Sequence, residues 1–173
     1  MNKLIPTYFA NNIFEVDVSF YHKIGARILL LDLDNTLDSY KTNVPSKRVF
    51  DLINKLKANK IRPIITSNSN GKRVRNYAKM LGIEFEGFCL KPFGFRIKNK
   101  LKRLKINKDD CLLIGDQLLT DTLAGNRAKI RIMLVDKIVK EEAPFTRINN
   151  LFDKPYRARL RKCGKLNYWK DNV

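Results

Sequence analysis

Histidine is almost missing from this sequence: His22 is the only one in 173 residues, and it precedes the first expected strand. Acid–base or metal chemistry built on imidazole is therefore excluded, and His22 reads as a surface side chain. Cysteine is scarce as well. Cys89 and Cys111 sit in apolar surroundings and Cys163 in a basic stretch, which makes neither a disulfide framework nor a zinc spacing and suits a reducing compartment. Long hydrophobic runs are lacking: in the N-terminal half the longest aliphatic run is Ile28 to Leu31, far short of the ~20 residues a spanning helix needs. Lys3 is followed by Pro6, Tyr8, Asn11 and Asn12 instead of an apolar signal core, so no secretory signal is expected and the cytoplasm is the expected location. No glycine-rich phosphate loop precedes Gly71-Lys72, and the gap between Cys89 and Arg96 does not fit a cysteine-nucleophile loop.

Acidic residues are also few, 17 against 35 basic ones, for a net charge of +18. Residues 1–90 carry +6 of it and residues 91–173 carry +12. Such a field attracts polyanions, whether nucleic acid, an anionic membrane surface or a phosphorylated substrate. A lysine-rich solvated surface explains the same numbers equally well. What the chain does have is apolar residues, 44% of the total, enough for one compact domain with a real core. The expected division is a single domain over 1–153 and a basic tail over 154–173 that packs as a helix or extends over a partner.

Ile28 to Leu33 is a continuous apolar run ending in carboxylates, as for a strand buried on both faces of a parallel sheet. Val49, Leu52, Ile53 and Leu56 recur at helical spacing after Ser46, a candidate N-cap, and this helix ends near Asn59. Ile61 to Ile65 reads as a second strand, running into Thr66-Ser67-Asn68-Ser69-Asn70, and a helix follows from Gly71 to Leu81. Glu84 to Leu90 reads as a third strand, Phe95 to Leu104 as a basic helix and Cys111 to Ile114 as a fourth strand. Leu118 to Ala128 reads as a helix and Arg131 to Val135 as a fifth strand. The alternation predicts an α/β fold with a five-stranded parallel sheet and helices on both faces. Ligand chemistry then belongs at the carboxyl ends of the strands, which here carry Asp32 and Asp34, Ser67, Lys91 and Asp116. The N-terminal Leu4, Ile5, Tyr8, Phe9, Ile13 and Phe14 are expected to pack on the sheet, with an interfacial apolar face as the alternative.

Asp32 and Asp34 stand two residues apart and so point to the same side of an extended strand end. Asp32 suits a nucleophile that attacks phosphorus, and Asp34 an acid that protonates the leaving oxygen and then activates water. Two anions approach only with charge compensation. The Asp32 carboxylate, the Asp34 main-chain carbonyl and Asp116 form a hard oxygen set suited to Mg2+. Ser67 with the amides after it, together with Asn35, Thr36 and Asn68, provides candidate donors to a phosphoryl group, and Lys91 a neutralising cation. Asp121, one helical turn beyond Asp116, can hold a metal-bound water or orient Lys91.

Taken in order, these residues resemble the motif set of the haloacid dehalogenase superfamily, and more closely its YqeG-type phosphatases of subfamily IIIA. The similarity runs through Leu4-Ile5-Pro6, Ile13-Phe14-Glu15, residues 32–37, Ser67-Asn68, Lys91-Pro92 and Gly94. It continues through residues 115–121, Gly125-Asn126-Arg127 and Thr146-Arg147-Ile148-Asn149. The resemblance implies a Rossmann-like fold, Asp32 as nucleophile and Asp34 as acid/base. It also implies kinship with the mitochondrial phosphatase that converts phosphatidylglycerophosphate to phosphatidylglycerol. One departure stands out: Asp38 occupies a position where an apolar residue is expected, and its anion either bears on the site or faces solvent. Thr66 is the alternative hydroxyl to Ser67.

Spacing bears on substrate size. Only eleven residues separate Asp34 from Ser46, and one helix and one strand separate Ser67 from Lys91, so no cap domain fits. An uncapped cleft admits a phosphate on a lipid headgroup or macromolecule. The expected partner is a phosphorylated substrate, foremost a lipid headgroup, with peripheral contact to anionic membrane. The basic segment 98–105 and the tail serve that contact, or else RNA. The alternatives are a phosphatase for a nucleotide, sugar phosphate or phosphoprotein, and a basic RNA- or ribosome-binding protein with vestigial activity.

Overall fold

A computed structural model of the chain describes residues 3–68, 71–87, 89, 91–139 and 147–172. Ser69, Asn70, Phe88, Leu90 and Thr146, all named above or within the expected elements, lie outside them. The strands are β1 (Tyr8–Ala10), β2 (Ile28–Leu31), β3 (Arg62–Thr66), β4 (Glu84–Glu86), β5 (Cys111–Gly115) and β6 (Arg131–Val135). The helices are α1 (Val18–Lys23), α2 (Lys47–Ala58), α3 (Lys72–Met80), α4 (Phe95–Arg103), α5 (Leu123–Ala128) and α6 (Arg147–Lys162). The strands pair in parallel in the order β1-β6-β5-β2-β3-β4.

The apolar runs are strands buried on both faces, and alternate residues part accordingly. From β2, Leu29 and Leu31 pack with Val49, Ile53, Leu56, Val74 and Tyr77 of α2 and α3. Leu30 faces the other way, with Ile97 and Leu101 of α4 and Ala124 and Ala128 of α5. β5 repeats the division, Leu112 and Ile114 to the first side, Cys111 and Leu113 to the second. The α2 and α4 helices each bury one stripe, Val49, Leu52, Ile53 and Leu56 in one and Ile97 and Leu101 in the other, and turn their charges outward.

The sheet has six strands, not five. The extra strand, β1, is only three residues long and pairs Phe9 with Leu134 at the edge beyond β6. A run that short shows no period, so the sequence pointed only to packing against the sheet. Its outer side is covered by the C-terminal segment, where Phe9 N–H donates to the Asn167 carbonyl at 2.7 Å and Trp169 packs edge-on against Phe20 with centroids 5.7 Å apart. The α6 helix runs across Lys154 without a break, and Leu160 is buried with Phe9 and Leu134.

Three elements differ from expectation. The third strand stops at Glu86, where Gly87 ends the pleated run. Ser46 holds the N-cap position of α2, yet its hydroxyl makes no capping bond; its N–H instead donates to Asp38 Oδ2 at 2.9 Å. The segment expected as one helix from Leu118 opens as a π turn, Leu118–Thr122, before α5 begins. His22 is exposed on α1. Among the described residues no helix is long and apolar enough to cross a membrane.

Candidate active site

The chain turns sharply as it leaves β2. The Leu33 carbonyl accepts from the N–H groups of Thr36, Leu37 and Asp38, and Asn35 N–H donates to the Asp38 carbonyl at 2.7 Å. Asn35 takes the left-handed conformation the turn requires, φ +65°, which asparagine tolerates better than most residues. The turn sets Asp32 and Asp34 at the carboxyl edge of the sheet. Asn35 and Thr36 lie beneath it: both are buried, and the Asn35 Oδ1 and Thr36 Oγ1 atoms have no hydrogen-bond partner.

Lys91 reaches the same point from beyond β4. Its main chain is clamped by Asn68, which donates from Nδ2 to the Lys91 carbonyl at 3.1 Å and accepts the Lys91 N–H on Oδ1 at 2.8 Å. Lys91 Nζ donates to Asp32 Oδ1 at 2.7 Å, to Asp121 Oδ1 at 2.8 Å and to the Thr66 carbonyl at 3.1 Å, so all three ammonium protons are used. The Lys91 and Asp121 side chains are each 2% exposed. Burial alone would lower the lysine pKa, but the Asp121 and Asp32 carboxylates hold it above its ordinary value. Thr66 Oγ1 donates to the Leu31 carbonyl at 3.4 Å, and Ser67 is buried beside it at the β3 terminus.

β5 ends at Gly115, and Asp116 follows it directly. Asp116 is fully buried, and neither of its carboxylate oxygens has a hydrogen-bond partner. Oxygens of Asp32, Asp116 and Asp121 lie within 4.8 Å of one another. Burial pushes the Asp32 carboxyl up to about 7 against the pull of Lys91, and burial with the nearby Asp32 and Asp121 charges raises Asp116 well above the usual carboxylate range. Three hard carboxylates, one of them buried with both oxygens unpartnered, make a donor set that fits a divalent cation.

The π turn explains how Asp121 joins them. Its Oδ2 accepts the Gln117 N–H at 3.1 Å, folding the side chain back over Gly115. A Cβ at Gly115 would stand 2.3 Å from Asp121 Cγ, so only glycine leaves room for this return. Gly115→Ala is accordingly expected to cost about 1–3 kcal/mol through overpacking. A lowered urea midpoint with unchanged m-value would show it.

Asp34 is arranged differently. Its Oδ1 pairs with Arg73 of α3, whose other terminal nitrogen donates to the Thr42 carbonyl at 3.0 Å. Asp38 neither faces solvent nor joins the carboxylate trio. It is 4% exposed, and its Oδ2 accepts from Tyr77 OH at 2.7 Å and Ser46 N–H at 2.9 Å, with Arg48 at 3.5 Å from Oδ1. Sequence reasoning missed Arg73 and Arg157. Arg73 reads as one of several charges at a helix start. Arg157 belongs to the stretch read as a tail, yet it turns inward, donating to the Asp116 and Val135 carbonyls and pairing with Asp136 at 2.8 Å.

Known proteins resemble this chain in sequence and in fold. A Bacillus subtilis (strain 168) protein named probable phosphatase YqeG is 30% identical over 164 residues, 95% of each chain. The crystal structure of 3-deoxy-D-manno-octulosonate 8-phosphate phosphatase from Yersinia pestis superposes with a TM-score of 0.51 at 17% identity, covering 70% of this chain and 79% of that one. The same-named phosphatase of Moraxella catarrhalis, determined with magnesium, phosphate and KDO, gives 0.50 at 15% identity over 83% and 97%. Likeness at that identity speaks for the fold alone. The model of haloacid dehalogenase-like hydrolases matches residues 3–129, and with the YqeG homologue it establishes that the chain belongs to the haloacid dehalogenase-like hydrolase family.

Proposed function

We propose that the protein is a Mg2+-dependent phosphomonoesterase that works through an aspartyl phosphate on Asp32, with phosphatidylglycerophosphate as its substrate. The observation that carries the reading is the Asp32–Asp116–Asp121 trio, with Asp116 and Asp121 buried, Asp32 partly exposed and Lys91 bonded to Asp32 and Asp121.

One carboxylate oxygen of Asp32 attacks the phosphorus, the bond from phosphorus to the ester oxygen breaks, and Asp34 gives its proton to that oxygen as the alcohol leaves. Water then attacks the acyl phosphate while Asp34 takes up its proton, releasing inorganic phosphate and restoring Asp32. Lys91 holds Asp32 by its Oδ1 and opposes the charge that gathers as two anions meet. Asn68 serves through Lys91, by fixing its main chain. Ser67 stands at the end of β3 as a donor toward the phosphoryl group, and the turn containing Asn35 and Thr36 shapes the floor beneath it. Arg73 pairs with the Asp34 carboxylate and fixes its orientation. A Mg2+ ion held by the Asp32 and Asp116 carboxylates and the Asp34 main-chain carbonyl, with Asp121 in support, would supply the positive charge that lets substrate and nucleophile approach.

The short segments between Asp34 and Ser46 and between Ser67 and Lys91 leave no room for a cap domain, which favours a phosphate presented on a large or membrane-held molecule. The identity of the substrate rests on resemblance, and a release assay tests it. Phosphatidylglycerophosphate in mixed micelles is expected to be hydrolysed in preference to a nucleotide, a sugar phosphate or a phosphoprotein, and only with divalent cation present. Hydrolysis of the soluble esters alone would keep the chemistry and remove the lipid.

A further inference from the structure

Among the described residues, six large apolar side chains stand exposed: Val44, Met80, Phe93, Phe95, Leu151 and Phe152. Five of them sit on three segments at the carboxyl edge of the sheet, around the Asp32–Lys91 site. Val44 lies between β2 and α2, and Phe93 and Phe95 follow Lys91 directly. Leu151 and Phe152 precede Asp153, whose carboxylate accepts the Leu118 N–H at 2.6 Å. Two of these segments flank the same stretch that carries Asp121: the Phe93 ring lies 5.8 Å from the Arg127 guanidinium, and Gly94 approaches Ala124 and Ala128 so closely that a Cβ there would clash. Exposures of 62% at Phe93 and 74% at Leu151 are high for large apolar side chains.

Charge surrounds this apolar rim. α4 buries Ile97 and Leu101, and on its outer surface Phe95, Lys98 and Lys102 fall on one stripe at three- and four-residue spacing. The aromatic stands at the site end and the lysines run behind it. Lys154 and Arg159 are likewise exposed on α6 beyond Leu151 and Phe152.

We infer that this rim docks the protein on the surface of an anionic phospholipid bilayer. The Phe93, Phe95, Leu151 and Phe152 side chains enter among the acyl chains, the lysines meet lipid phosphates, and the carboxylate site opens on the headgroup layer. This inference rests on reading the site as a phosphomonoesterase for a lipid headgroup. Single-stranded RNA would call for ring faces on which bases stack, whereas Val44 and Leu151 are aliphatic. A second copy of the chain, seated symmetrically, would set the basic stripe against itself at a net charge of +18 per copy.

Sedimentation of the full chain with lipid vesicles, containing no substrate, tests the inference. The protein is expected to sediment with phosphatidylcholine vesicles that contain phosphatidylglycerol, not with phosphatidylcholine alone, and to be released by salt. Phe93→Ser/Phe95→Ser and, separately, Leu151→Ser/Phe152→Ser are expected to lower partitioning about ten-fold or more. Lys98→Glu/Lys102→Glu should weaken it as well. Met80→Ser, at the far end of α3, should leave it unchanged. Undiminished sedimentation of both serine variants overturns the inference, as does tight binding to RNA with none to vesicles. The two readings fail separately: sedimentation without phosphate release leaves the docking rim and removes the enzymatic reading, whereas phosphate release from a soluble ester by a protein that never sediments does the reverse.

Discussion

Asp32→Asn is expected to lower phosphate release by at least about a thousand-fold, because an amide oxygen cannot form the acyl phosphate on which both half-reactions depend. The fold should survive. Lys91 keeps Asp121 Oδ1 at 2.8 Å and the Thr66 carbonyl at 3.1 Å, and the substitution removes one anion from a crowded trio. In chelator the variant is therefore expected to melt no lower than the parent, and higher if repulsion among the carboxylates dominates. The combination is diagnostic. Loss of activity with loss of fold would make Asp32 a structural residue, and retained activity would remove it from the chemistry.

Lys91→Met should act chiefly on stability. Among the described residues, Lys91 is the cation that hydrogen-bonds to both Asp32 and Asp121. Its removal leaves buried carboxylates unpaired, at a cost of about 3–5 kcal/mol, or roughly 6–20 °C in Tm for a chain of this size. Mg2+ should restore part of that loss, since a bound cation stabilises the folded state in proportion to its occupancy. Adding Asp121→Asn to Lys91→Met should restore part of it without metal, and a double-mutant cycle would report the coupling. A Lys91→Met protein within about 1 kcal/mol of the parent would show that the cluster does not depend on this charge.

These expectations draw on residues the sequence made prominent and on others it concealed. Asp32 and Asp116 each follow an apolar strand run, so their places at the carboxyl edge could be read from strand boundaries, whereas Lys91 lies beyond a strand that stops at Glu86 and Asp121 within the turn after β5. Long-range pairing could not be read in that way. Arg73 meets Asp34 across 39 residues and Tyr77 meets Asp38 across as many, yet in sequence each is one polar residue on a helix. Arg157 bonds the Asp116 carbonyl across 41 residues from a stretch whose composition suggests a free basic tail. Helical spacing places such residues on a face without saying which distant group that face will meet.

The fold shows a similar division. Strands buried on both faces announced themselves as unbroken aliphatic runs, and the helices over Leu56 and Leu101 by their apolar stripes. β1 could not, because three residues hold less than two periods of alternation, and its identity depends on lying between β6 and the C-terminal segment. The π turn at Leu118 is equally hidden: Leu118, Leu119 and Leu123 fit an ordinary helix, and only the structure shows the widened turn that carries Asp121 back onto Gly115. Asp38 shows that a departure from a family pattern need not touch the chemistry. Its carboxylate instead joins the turn after β2 to the start of α2 and to Tyr77.

The covalent step is the centre of this account, and acid quenching during turnover tests it most directly. Enzyme mixed with Mg2+ and phosphatidylglycerophosphate labelled in its terminal phosphate would be stopped in acid, digested and mapped for label. The predicted result is a hydroxylamine-labile acyl phosphate on the peptide that contains Asp32, absent from Asp32→Asn, which also releases no phosphate. Label on any other residue, or phosphate release by Asp32→Asn at the parent rate, would contradict it.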